Sequence, residues 1–141
     1  MLREKVISFL NAMGVTVSDN DSLLDFVIQS VTQTVKNETN QLALPEGLEM
    51  SAVYICAGQY LKIKKEAGLL EGFDFEATVK QIQEGDTSIT FAIGEGDNTP
   101  EQRFDSLISY LMSSGKSGIA KYRRLVWSVS YTHLRAHETG A

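Results

Sequence analysis

Apolar residues recur at three- and four-residue spacing in several separate stretches of this chain, and that period constrains the fold more than any other feature. Leu2, Val6, Phe9, Leu10 and Met13 form one such stripe, with Gly14 placed to stop the helix. Leu23, Leu24, Val27, Val31 and Val35 form a second, with Gln29, Gln33 and Lys36 on the opposite side, the pattern of a helix packed on one face. The four residues ahead of Ser22, Leu23 and Leu24, Ser18-Asp19-Asn20-Asp21, are rich in helix-capping side chains, and the stripe fades at Asn37 to Asn40. Pro45-Glu46-Gly47 marks a turn into a third stripe, Met50, Val53, Tyr54, Ala57 and Leu61, ending in Lys62, Lys64 and Lys65 as a solvated terminus. Ala52, Ala57 and Gly58 are small enough for another backbone to approach closely.

Beyond Gly68 the pattern changes. Phe73, Phe75, Val79 and Ile82 imply a short helix, and Ile89, Phe91 and Ile93 then alternate with small or polar residues, the period of a half-buried strand over about residues 87–93. Thr99-Pro100-Glu101-Gln102 opens another helix as a capping box with proline at its first position. Its apolar stripe is Phe104, Leu107, Ile108 and Leu111, and Ser113 to Gly118 is expected to break it before Ile119 to Trp127. The expected fold is mainly α: a small helical bundle of four to five helices with one short β-strand or hairpin, in a single domain over residues 1–128.

Composition narrows the function. With 43% hydrophobic and 22% charged residues the chain is ordinary globular material, and a net charge of −5 disfavours nucleic-acid binding as its main task. The single cysteine, Cys56, lies in an apolar helical run and reads as a small buried hydrophobe in a reducing compartment. No stretch has the length and apolarity of a membrane span or the form of a signal peptide. Val129 to Thr139, VSYTHLRAHET, reads as the translation of a transposase sequencing adapter. Residues 129–141 are therefore expected to be a non-native tail, with the natural chain diverging near Ser128. His133 and His137 lie inside it and are given no role, despite their helical i, i+4 spacing.

Chemistry-bearing motifs are sparse. Gly94-Glu95-Gly96-Asp97 lacks the third glycine and the βαβ setting of a dinucleotide loop, and its carboxylates would repel a phosphate. Asp86, Glu95 and Asp97 do not match a calcium-loop spacing. Asp74, Glu76 and Glu84 sit where solvation is the default. Lys121, Arg123 and Arg124, interleaved with Tyr122 and Trp127, fit a docking end whose aromatic and arginine anchors enter a partner's pockets, or a nucleic-acid stacking patch; the acidic balance favours docking. No catalytic residue, cofactor or metal is expected, and the chain reads as a non-enzyme.

Four local patterns, in this order, resemble the head–tail connector (adaptor) proteins of tailed bacteriophages, particularly of prophage type. They are Lys36-Asn37-Glu38-Thr39-Asn40 before Pro45-Glu46-Gly47-Leu48, and Ala57-Gly58 in a helix ending in lysines before Gly68. Val79 to Thr87 leading into the strand and Tyr122 to Trp127 complete the set. The resemblance implies a structural virion protein forming a dodecamer-like ring beneath the portal, assembled in the bacterial cytoplasm and located at the head–tail interface. Such a ring extends the DNA channel, with DNA only as passing cargo, and presents a surface to a stopper or tail protein. Carried onto this sequence, the strand and its loops, with Asp86, Thr87, Ile89, Phe91, Glu95 and Asp97, would contact neighbouring subunits or line the channel. Tyr122, Arg123, Arg124 and Trp127 would dock on the portal. The other readings are a helical interaction or regulatory module without catalysis, a small metal enzyme using Asp86, Glu95 and Asp97, and a nucleic-acid binder led by Arg123 and Arg124.

Overall fold

A computed structural model describes residues 2–18, 20–68, 74–76, 80 and 99–139, with side chains as far as residue 125. The described residues include α1 (Leu2–Ala12), α2 (Ser22–Thr39), α3 (Glu49–Glu66) and α4 (Pro100–Thr139), with a 3-10 turn at Glu46–Leu48 leading into α3. The expected strand at 87–93 lies outside the described residues, as do most of the residues expected to form a short helix after Gly68. Among the described residues no helix is long and apolar enough to cross a membrane.

Local sequence sets the helix ends. α1 closes with Gly14 at φ 85°, the left-handed region that favours glycine, and the Val15 amide donates back to the Leu10 carbonyl at 2.9 Å. α2 starts at Asp21, whose Oδ1 accepts from the Leu24 amide at 3.1 Å, and it ends on left-handed Asn40, after which the Gln41 amide reaches the Lys36 carbonyl. The capping box forms as its sequence implies. The Gln102 amide donates to Thr99 Oγ1 at 3.2 Å, and Gln102 Oε1 accepts from the Thr99 amide at 3.0 Å.

Helix α3 sits at the centre. Ala52, Val53, Ile55, Cys56, Ala57, Gly58, Tyr60 and Leu61 are all buried, so α3 is apolar around most of its circumference rather than along one stripe. It packs most extensively on α4 and also touches α1 and α2. Met50, expected on its buried face, is 55% exposed instead, because it lies in the first turn, at the edge of the bundle.

The α3–α4 contact corrects the expected break at Ser113 to Gly118. α4 runs without interruption, and its glycines are points of close approach. A β-carbon added at Gly115 would meet the Ser51 carbonyl oxygen at 2.6 Å as well as the Ile55 side chain. One at Gly118 would meet the Ser51 hydroxyl, and one at Gly58 would meet Met112 Cγ at 2.8 Å. The lysine-rich end of α3 is likewise not simply solvated: Lys65 pairs with Asp105 and, at 3.3 Å, with Glu101 of α4. Its ammonium also lies over the Phe75 ring, which stacks at a tilt on Phe104 with centroids 4.9 Å apart.

Two further ties cross the bundle. Arg3 pairs with Asp25 at 2.6 Å, and Lys5 with Glu49 at 2.7 Å. The Tyr60 hydroxyl, on a ring only 2% exposed, donates to Asp21 Oδ2 at 2.5 Å, so one carboxylate both caps α2 and anchors α3. Burial pushes the Asp21 carboxyl up, but bonds from Tyr60 and the Leu24 amide and the charge of Lys64 outweigh it, leaving it below its ordinary 3.8.

Gly115→Ala separates the two readings of that residue. In an exposed helix interior the change would gain about 1 kcal/mol. Here the expected result in urea denaturation is a loss of about 1–3 kcal/mol from overpacking, while Gly47→Ala, with nothing within 4 Å, changes little. A lowered folded-state pKa stabilises the fold above the unfolded value and ceases to do so as pH falls through the folded one. Asp21→Ala should therefore cost about 2–3 kcal/mol at neutral pH by removing the cap and orphaning Tyr60. Asp21→Asn should flatten the fall in stability below about pH 4, read from denaturation midpoints across the acid range.

Candidate docking surface

Because α4 runs antiparallel to α3, it leaves the bundle at the end where α3 begins. Gly115 and Gly118 pass Ser51, Ile119 is 3% exposed, and Tyr122 is half-buried against the core. The helix then continues to Thr139, and its next side chains, Arg123, Arg124 and Leu125, are exposed. Lys116 and Lys121 are exposed as well, and the sequence carries no carboxylate between Asp105 and Glu138. None of these four cations makes an ion pair to a described carboxylate.

Several large hydrophobics are also exposed. Leu42, in the connection between α2 and α3, is 99% exposed, and Leu125 is 65% exposed. Met50, in the first turn of α3, and Phe26, near the start of α2, complete the large hydrophobics exposed among the described residues. Exposed Leu125 next to Arg123 and Arg124 on the helix is the composition of a protein interface rather than of a solvated helix end.

The expected docking residues therefore divide. Arg123 and Arg124 are presented to solvent, while Tyr122 serves the core in part. The side chain of Trp127 lies outside the described residues, although its backbone is helical. Asp86, Thr87, Ile89, Phe91, Glu95 and Asp97 all lie outside them. Leu42, Met50 and Leu125 were not among the expected site residues. Leu42 carried no distinguishing signal, because Leu44 two residues on packs against the core; Met50 fitted the helical stripe and Leu125 was equally compatible with packing on its own core.

A second concavity lies between α2 and α4 above α3. It is an open groove of about 570 Å³, with Val31, Val35, Ile55 and Ile63 among its apolar lining and Glu38, Glu66, Lys62 and Lys116 among its polar lining. Its charges are balanced and no convergent set of hydrogen-bonding groups marks it for a particular ligand. Among the described residues, no three histidine, cysteine, aspartate or glutamate side chains are placed to hold a metal ion.

Cys56 is fully buried, and burial pushes its thiol up to about 12. A thiol in that state carries almost no thiolate at neutral pH. Ellman's reagent should therefore leave Cys56 untouched in the folded protein and titrate one thiol per chain in denaturant; rapid labelling of the native chain would refute this burial.

Comparison with family models, with curated proteins and with solved structures finds no match in any of the three.

Proposed function

We propose that this chain is a head–tail connector subunit of a tailed bacteriophage, a structural virion protein and not an enzyme. It forms a homo-oligomeric ring under the portal, extends the DNA channel and bridges head to tail. The observation that carries the proposal is the ordered set of sequence patterns from Lys36 to Trp127 that resembles that family. The basic and apolar end of the bundle supports it, because a ring subunit needs an exposed docking surface distinct from its core. In this reading Tyr122, Arg123, Arg124 and Trp127 face the portal protein. Asp86, Thr87, Ile89, Phe91, Glu95 and Asp97 face neighbouring subunits or the channel, where acidic side chains would repel passing DNA. The opposite rim would meet a stopper or tail protein, and the ring would reside in the virion with no cofactor and no membrane.

A helical interaction or regulatory module is the second reading, favoured by the open groove between α2 and α4. Two measurements separate them. The DNA flanking the reading frame should encode portal, protease, capsid and tail proteins, and negative-stain microscopy of the chain mixed with that portal should show rings seated on it. Unrelated flanking genes and a chain that stays monomeric beside the portal would remove the connector reading and leave the module.

A further inference from the structure

We infer that Met50 is a reversible oxidation site: hydrogen peroxide converts its thioether to the sulfoxide in the folded chain, and methionine sulfoxide reductases restore it. This site is independent of the connector reading.

Burial sorts the sulfur-bearing side chains. Cys56 is fully buried and Met13 is 2% exposed, both in the core. Met112 is half-buried and packs on that core, with its Cγ close against the bare backbone of Gly58. Met50 is the exception among the described residues, more than half exposed in the first turn of α3. It borders an open concavity of about 510 Å³ that it shares with Ser8, Phe9 and Val53, ample for a molecule the size of peroxide. Sulfur oxidation follows exposure and, for a thiol, thiolate character. Cys56 has neither, because it is sealed in the core and the same burial keeps it protonated.

The step is a two-electron oxygen transfer. A lone pair of the Met50 sulfur attacks one peroxide oxygen, the O–O bond breaks, and a proton passes from the attacked oxygen to the departing hydroxide. The sulfur is left oxidised as S=O and the peroxide is reduced to water. In the reductase the sulfoxide oxygen leaves as water while two thiols become a disulfide, and one enzyme serves each sulfoxide epimer. Reversal therefore needs the same exposure as oxidation.

Position makes the change tolerable to the fold. A sulfoxide at Met13 would put a polar oxygen into the apolar core, whereas Met50 is not part of that core cluster and its new oxygen faces water. Oxidation thus turns an exposed apolar side chain into a polar one, beside Phe9, and leaves the packing beneath it in place.

Peptide masses after brief treatment of the native full-length chain with dilute hydrogen peroxide test the site. Trypsin separates the three methionines, placing Met13 in residues 6–36, Met50 in residues 37–62 and Met112 in residues 104–116. Met50 should gain its oxygen on the order of tenfold faster than Met13 and Met112, and in denaturant the three rates should converge. The paired reductases with a thiol reductant should return the Met50 peptide to its original mass without unfolding, and Tm should not change as Met50 is oxidised. Met50→Leu, a volume-conserving change at an exposed position, should keep Tm and leave Met13 and Met112 as slow as before. Native-state oxidation of Met13 or Met112 as fast as that of Met50, or a Met50 sulfoxide that the reductases fail to restore, would overturn the site. A fall in Tm that tracks oxidation of Met50 would overturn the claim that the fold tolerates it.

Discussion

Close packing of α4 on α3 is the constraint from which the rest of the architecture follows. Glycines at 58, 115 and 118 leave no side chain between the two backbones, so α4 lies against Ser51 and Ile55 at a separation that larger residues would prevent. Interiors packed at this density do not yield by small amounts, and an added methyl must displace backbone or force a rotamer. With α4 fixed there, Phe104, Leu107 and Leu111 close one side of the core, and Lys65 reaches Glu101 and Asp105 beside Phe75. α1 and α2 cover what remains of α3.

That geometry also determines what the molecule can present. A helix held rigidly as far as Ile119 and Tyr122 delivers the residues after it at a fixed place and angle. A cationic segment on a rigid helix is better arranged for specific docking than the same residues on a loop, because less conformational freedom is lost on binding. Leu42 follows left-handed Asn40, where α2 stops, in the connection that leads to the start of α3.

Much of the helical framework was legible in the sequence, and for local reasons. The Thr99–Gln102 box, Gly14 and Asp21 act through groups within a few residues of themselves, so their roles follow from the sequence around them. The stripes of α1 and α2 follow from packing on one side only. Legibility failed at α3 and in the middle of α4. A helix buried around most of its surface has no single apolar face to read, so Met50 looked equivalent to Val53. Gly115 and Gly118 looked like helix breakers because the energetic cost of glycine is local, while the benefit that retains it comes from a partner helix distant in sequence.

By itself the sequence determined a mainly helical chain, the positions of most helix ends, a buried and unreactive cysteine, and a stretch, residues 106–125, that has four cations and no carboxylate. These depend on period, capping chemistry and composition, all of which act over a few residues. Only the tertiary structure decided that α4 is continuous, that its glycines seat it on α3, and that Leu42, Met50 and Leu125 are left exposed. Those outcomes depend on which surfaces meet, and a helix carries no record of its neighbours except in the residues small enough to admit them.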